Sequence, residues 1–149
     1  MTDVLFYHLE RQPLERVLPA LVERTIARGW RAVIQAGSQE RIEALDDLLW
    51  TYRDESFIPH GTSRDGHAEI LAVYLTLGEE NPNKAAVRFL VDGGDCADLA
   101  SYERVVYLFD GHDEAAVAAA RETWKRARGL GHEVTYWQQD ERGQWQKKS

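Results

Sequence analysis

The sequence predicts a three-layer α/β protein: one mostly parallel, Rossmann-like sheet with helices on both faces. Short apolar runs typical of strands buried on both faces alternate with longer segments whose apolar residues recur at helical spacing. Strands that alternate with helices favour a parallel sheet joined by crossovers. With 149 residues, 44% apolar and 29% charged, the chain is expected to form a single domain over residues 1–149.

The first half of the chain predicts two strand–helix units. Val4 to Leu9 is a short apolar and aromatic run, followed by a helical pattern from Leu14 to Gly29. Pro19 lies inside that helix, and we expect a kink or a break there because proline removes a backbone donor. Ala32 to Ala36 forms the second strand. Ser38 can cap a helix whose inward positions are Ile42, Leu45, Leu48 and Leu49.

The second half continues the alternation. Four more segments are predicted to be strands: Ile70 to Leu77, Val87 to Val91, Val105 to Phe109 and Glu133 to Trp137. Asp113 is a suitable cap for a helix over Glu114 to Arg128, which Gly129 and Gly131 end. Residues 138–149 then form a C-terminal extension, and the sequence leaves open whether Trp145 packs on the domain.

Charge and cysteine content exclude several classes of protein. The chain carries 18 basic and 25 acidic residues, a net charge of −7, so the molecule as a whole should repel nucleic acid phosphates. Any contact with DNA is therefore expected through a partner. One cysteine excludes an internal disulfide and multi-cysteine zinc sites. No leader pattern and no long apolar run is present, so we expect a cytoplasmic protein without contact to membranes.

Phosphate-binding loops, the usual ligand sites of such sheets, are missing from the sequence. No GxxxxGK[ST] motif occurs, and the first predicted strand leads into HLERQP, without glycine. Gly93 and Gly94 follow a strand but stand among acidic residues that would repel phosphate, so a plain turn is the favoured interpretation.

The competing hypothesis is a small α/β enzyme that binds a nucleotide or a metal through Asp92, Asp95 and Asp98. Carboxylates suit hard cations, but aspartates after strands more often form turns and caps. Cys96 lies among these acids, whose repulsion should raise the pKa of its thiol. No histidine pair or nucleophile motif supports catalysis, so we expect a protein that is not an enzyme on its own, with no cofactor and no metal.

One helical segment departs from the acidic average. RETWKRAR, residues 121–128, has four basic residues and one acidic residue. On a helix, Arg121, Lys125 and Arg128 fall within about 60° of one another beside an apolar stripe that contains Trp124. Such a surface suits an acidic peptide with an apolar or aromatic end. The alternative is that Trp124 is core and the cations stabilise the negative helix end.

The segment LWTYRDESFIPHG, residues 49–61, places large apolar side chains where a loop should turn polar. Trp50, Phe57 and Pro59 could fold back over the sheet, since loops packed by their own side chains are common. Equally, a cluster of large apolar groups outside regular structure is typical of an interface with another subunit.

A family resemblance lies in four segments, LWTYRDESFIPHG, FLVDGG, VVYLFDG and RETWKRARGLGHEVTYW. Through them the sequence resembles the chi subunit of bacterial DNA polymerase III holoenzyme over nearly the whole chain. The resemblance implies a non-catalytic adaptor in the clamp-loader assembly. It implies two partners: the psi subunit, and the acidic, phenylalanine-ended C-terminal tail of single-stranded-DNA-binding protein. It also implies an indirect association with single-stranded DNA.

The resemblance assigns the two surfaces to these partners. It implies that psi binds Trp50, Phe57 and Pro59. It implies that the tail binds Arg121, Trp124, Lys125 and Arg128, with Trp124 lining an apolar recess and a cation holding the terminal carboxylate.

Overall fold

The computed structural model describes residues 2–51, 60–62 and 68–148, apart from the side chains of Trp50, His60 and Ile70. Its strands are β1 Asp3–Leu9, β2 Ala32–Gln35, β3 His60–Thr62, β4 Val73–Thr76, β5 Val87–Leu90, β6 Arg104–Asp110, β7 Glu133–Gln139 and β8 Trp145–Lys147. Its α-helices are α1 Leu14–Ala27, α2 Gln39–Thr51 and α3 Glu114–Gly129. Short 3₁₀ turns cover Ala68–Ile70 and Leu99–Ser101.

The strands form one sheet in the order β3-β4-β2-β5-β6-β1-β7-β8. Every neighbouring pair is parallel except β7 and β8, which run antiparallel. The predicted α/β class and mostly parallel sheet are thus confirmed.

The helices lie on opposite faces of this sheet. Val17 and Leu18 of α1 and Leu45 of α2 belong to one buried cluster, together with residues of β1, β2, β5 and β6. Ala120 and Ala127 of α3 belong to a second cluster, whose strand residues include Phe6. Side chains alternate along each strand, so β1 contributes Tyr7 to the α1 side and Phe6 to the α3 side.

A polar network crosses the sheet interior on the α3 side. Arg88 of β5 is fully buried, and its Nε and Nη2 donate to Gln35 Oε1 over 3.0 and 2.7 Å. Its Nη1 donates to the Glu80 carbonyl and the Tyr102 hydroxyl, each at 3.0 Å. Gln35 Nε2 in turn donates to the Asp95 carbonyl at 3.2 Å. The buried cation thereby connects β2, β5 and the loop that follows β5.

Three details differ from the sequence prediction. The strand expected over Ile70 to Leu77 begins only at Val73, because the preceding residues form a 3₁₀ turn. There, Ala68 and Leu71 pack on Val33, Tyr74 and Ala85 and cover a part of the sheet. The strands β3 and β8 were not predicted, since three-residue edge strands with polar residues give no apolar run.

The helix α1 continues through Pro19, so of the kink or break expected there, the break does not occur. Proline removes one backbone hydrogen bond, while Val17, Leu18 and Val22 around it are buried and hold the helix against the sheet.

Trp145 packs on the sheet. Its ring meets that of Tyr7 edge-on at 4.9 Å, on the face that carries α1. It therefore lies on the side of the sheet opposite Trp124, and does not cover the surface of α3.

In the described part of the chain, the longest apolar helical stretches fall short of what crossing a membrane requires.

Candidate functional site

The candidate binding surface lies on α3, whose position is fixed at both ends. Asp113 Oδ1 accepts hydrogen bonds from the backbone N–H groups of Ala115 and Ala116 at 3.0 and 3.3 Å, which confirms the predicted N-cap. The helix ends at Gly129, and Gly131 adopts a φ of +86°, the left-handed conformation that glycine tolerates. Ala120 and Ala127 face the sheet and are buried.

Trp124 lies between the core and solvent. Its ring is half-buried and packs on the cluster that contains Ala120 and Ala127. The guanidinium carbon of Arg128 lies 4.9 Å from the centre of this ring, within cation–π range. The indole Nε1 is buried and, among the described residues, finds no hydrogen-bond acceptor. Trp124 is therefore neither a fully buried core residue nor a freely exposed one.

Lys125 and Arg121 extend from the same flank of the helix into solvent. Lys125 is 67% exposed, and its Nζ lies 3.6 Å from Glu122 Oε1, one turn away. An exposed pair of this kind contributes at most about 1 kcal/mol and is easily exchanged for another partner. Arg121 is exposed, and its positive charge lies close enough to Tyr136 to influence the pKa of that hydroxyl. Burial raises the pKa of Tyr136, and the nearby Arg121 partly opposes that rise.

Arg126, the fourth cation of the RETWKRAR segment, is engaged elsewhere. Its Nη2 lies 2.7 Å from both carboxylate oxygens of Asp95, which also accepts a hydrogen bond from the Tyr107 hydroxyl at 2.9 Å. Burial alone would raise the pKa of Asp95, but hydrogen bonds from Arg126 and Tyr107 hold it below its usual value. Arg126 lies about 140° around the helix from Arg121, so helical position alone could have separated it from the other cations.

The aspartates of the competing hypothesis each have a structural partner. Asp92 accepts bonds from the Arg41 guanidinium at 2.9–3.2 Å and from Gly37 N–H at 3.1 Å. Asp95 binds Arg126, and Asp98 accepts a hydrogen bond from Ser101. Within residues 2–51, 60–62 and 68–148, no group of three or more potential metal ligands comes together. These carboxylates thus hold the loop after β5 together and bind it to α2, through Asp92, and to α3, through Asp95.

Cys96 is buried among these residues. The pKa of its thiol is raised, as predicted, but burial is the largest cause, and the charges of Glu79 and Asp98 add to it. The favoured interpretation of Gly93 as a turn residue agrees with its φ of +75° and the hydrogen bond from Gly94 N–H to the Val91 carbonyl.

A cleft of about 920 Å³ opens at the carboxyl ends of β1 and β6. These neighbouring strands lead into helices on opposite faces, the position at which α/β sheets often bind ligands. Its charged lining includes four carboxylates, Glu10, Asp92, Asp110 and Asp113, against Arg11 and Arg41. Because Arg41 is bound to Asp92, the cleft is poorly suited to a phosphate.

The predicted psi-binding residues fall in or next to the chain left undescribed. Trp50 belongs to the last turn of α2 by its backbone, directly after the buried Leu49. Phe57 and Pro59 lie outside the described residues.

Two comparisons show which known proteins the chain is similar to. Residues 1–135 match the family model described as DNA polymerase III chi subunit, HolC. A curated relative, the probable DNA polymerase III subunit chi of Rickettsia prowazekii (strain Madrid E), is 27% identical over 109 residues. The aligned stretch covers 73% of this chain and 66% of that relative.

Proposed function

Because the chain belongs to the DNA polymerase III chi subunit family, we propose that it couples the clamp loader to single-stranded-DNA-binding protein. In this proposal α3 binds the acidic C-terminal tail of that protein, and the segment around Phe57 binds the psi subunit.

The general role of the chain follows from its family membership. The chain is a subunit of DNA polymerase III that takes part in DNA replication, and it is an accessory subunit rather than an enzyme on its own.

The single observation that carries the tail-binding proposal is the composition of the α3 surface. Arg121 and Lys125 are exposed beside Trp124, whose ring is half-buried and covered by the guanidinium of Arg128. Cations around an aromatic recess complement a ligand with several carboxylates and one terminal aromatic ring. A movement of Arg128 off the indole would open a place for that ring and leave the guanidinium beside the carboxylate.

The psi-binding proposal rests on sequence and position. Trp50 in the last turn of α2, and Phe57 and Pro59 after that helix, supply large apolar groups of the kind that obligate interfaces use. The helix α2, which ends beside this segment, packs on the face of the sheet opposite α3, so the two partners are proposed to bind independently.

The experiment that tests tail binding is a titration with a peptide that copies the last ten or so residues of the cognate single-stranded-DNA-binding protein. A single site of this kind should bind with a dissociation constant on the order of micromolar, about −8 kcal/mol. The same peptide without its terminal phenylalanine should not bind measurably. Tryptophan fluorescence and calorimetry follow the titration.

Lys125→Ala should weaken the binding of the tail peptide by about tenfold, because roughly one charge-assisted contact is lost. Arg142→Ala, which removes an exposed cation on the turn between β7 and β8, serves as the matched control and should bind like the parent. Equal affinity in Lys125→Ala and the parent would remove Lys125 from the site, and failure of both peptides would refute tail binding.

A further inference from the structure

A basic groove runs along α1, on the face of the sheet opposite α3. Two concavities of about 520 and 350 Å³ form it, and they share Leu21 and Arg24 as lining residues. The first reaches Trp145 and the second reaches Arg28 and Arg104. Together they follow one flank of a helix of 14 residues, about 21 Å long at 1.5 Å per residue.

The charge of this groove is opposite to that of the whole molecule. Four guanidinium groups line it, those of Arg16, Arg24, Arg28 and Arg104. Among the described lining residues the carboxylates are represented by Glu15 alone, whose Oε1 lies 3.5 Å from Arg41 Nη1. A protein with a net charge of −7 therefore presents a local concentration of positive charge here.

Aromatic rings lie in and beside the groove: Tyr7 and Trp145 line it, and Trp137 packs against Tyr7 at its edge. Tyr7 and Trp137, paired on the neighbouring strands β1 and β7, have nearly parallel rings with centres 6.4 Å apart and 14° between their planes. Trp145 of β8 meets Tyr7 edge-on at 4.9 Å, and both tryptophans remain half-exposed. Trp137 and Trp145 both lie beyond residue 135, where the match to the family model ends.

Two guanidinium groups of the groove lie over a further aromatic ring, that of Trp30. Arg28 and Arg104 lie 4.2 and 5.6 Å from the ring of Trp30 at one end of the groove. The Nε of Arg104 is buried without an acceptor among the described residues, while its Nη2 lies 4.0 Å from Asp3 Oδ2. Burial raises the pKa of Tyr7, and the positive charges of Arg104 and Arg24 partly oppose that rise.

We propose that this groove binds single-stranded DNA, with the guanidinium groups of α1 and Arg104 on the phosphates and the half-exposed rings of Trp137 and Trp145 against the bases. Positive grooves lined with aromatic side chains are the general means by which proteins hold single strands without sequence preference. The protein is a subunit of a replicative polymerase, so single-stranded DNA is the polyanion that its function brings close. The groove and α3 occupy opposite faces of the sheet, so this proposal stands whether or not the tail binds α3.

The test is the binding of a labelled oligothymidylate of about 20 nucleotides, longer than the roughly 4–16 that one single-strand-binding module covers. The full chain is titrated by fluorescence anisotropy at several salt concentrations. The expected dissociation constant is about 1–100 μM at low salt, and the slope of log K against log salt is about −2 to −3 for three or four phosphate contacts.

Arg24→Glu should weaken the binding of the oligothymidylate by about tenfold or more, since it replaces a phosphate contact with a repulsive charge. Trp137→Leu should weaken it by about fivefold or more, the effect of losing one stacked base. Arg142→Glu makes the same change of charge outside the groove, and Lys125→Ala alters α3. Both should bind the oligonucleotide within about twofold of the parent.

Three results would overturn the proposal. One is the absence of saturable binding at low salt. Another is an equal loss in Arg24→Glu and Arg142→Glu, which would indicate only long-range attraction. The third is displacement of the oligonucleotide by polyglutamate as effectively as by unlabelled oligothymidylate, which would identify the groove as a site for acidic peptides.

Discussion

Replacing Gln35 with leucine is expected to destabilise the fold by about 3–5 kcal/mol, the cost of removing the partner of a buried charge. Gln35 Oε1 accepts hydrogen bonds from both Nε and Nη2 of Arg88, a side chain that is fully buried. Each hydrogen bond to a charged group contributes about 1.5–3 kcal/mol, and two are lost together. Leucine preserves most of the volume, so little of the effect should come from a cavity.

The measurement is equilibrium unfolding in urea at neutral pH, with Gln39→Leu as the matched control. Gln39 is exposed at the start of α2, so its replacement should change the free energy of unfolding by less than about 0.5 kcal/mol. Adding Arg88→Met to Gln35→Leu should cost less than the sum of the two single changes, by about 1–3 kcal/mol, because it removes the stranded charge. A loss below about 1 kcal/mol for Gln35→Leu, or strict additivity in the double variant, would refute the reasoning.

Three further outcomes are expected. Asp113→Ala should reduce the free energy of unfolding by about 1 kcal/mol in urea, because the cap of α3 is lost, while Asp113→Ser should restore most of it. The pKa of Asp95 is lowered in the folded state. Its carboxylate therefore stabilises the fold at pH values above the unfolded pKa near 3.9, and this stabilisation is lost as the pH falls from there through the folded pKa. At pH 7 the free energy of unfolding in urea should thus be about 1 kcal/mol larger for the parent than for Asp95→Asn, and this difference should shrink towards pH 3. A difference that does not change with pH would contradict this explanation. Phe57→Ala should weaken the binding of psi, measured by calorimetry, by about tenfold or more without changing the affinity for the tail peptide. An unchanged affinity for psi would remove Phe57 from that interface.

The elements that the sequence predicts well are those with a strong local signal. The apolar runs of β1, β2, β5 and β6 are buried on both faces, so every residue carries information. The caps Ser38 and Asp113 are equally local, because one side chain bonds the backbone a turn ahead.

Other features depend on contacts between distant parts of the chain. Arg88 reads as a polar interruption of an apolar strand, and nothing next to it in sequence supplies the partners that allow its burial. The role of Arg126 likewise depends on Asp95, which is 31 residues away. The groove along α1 combines residues of β1, α1, α2, β5, β6 and β8, so it can be recognised only once the sheet order is known.

The same sheet order determines how the α3 surface is tied to the interior. Arg88 bonds Gln35, Gln35 bonds the Asp95 carbonyl, and the Asp95 carboxylate holds Arg126 on α3. The link between Gln35 and Asp95 uses a backbone carbonyl, which any residue at position 95 supplies, so the side chains depend on one another only within the pairs Gln35–Arg88 and Asp95–Arg126. In the divergence of related chains, Gln35 should therefore change together with Arg88, and Asp95 together with Arg126, while the two pairs can vary separately.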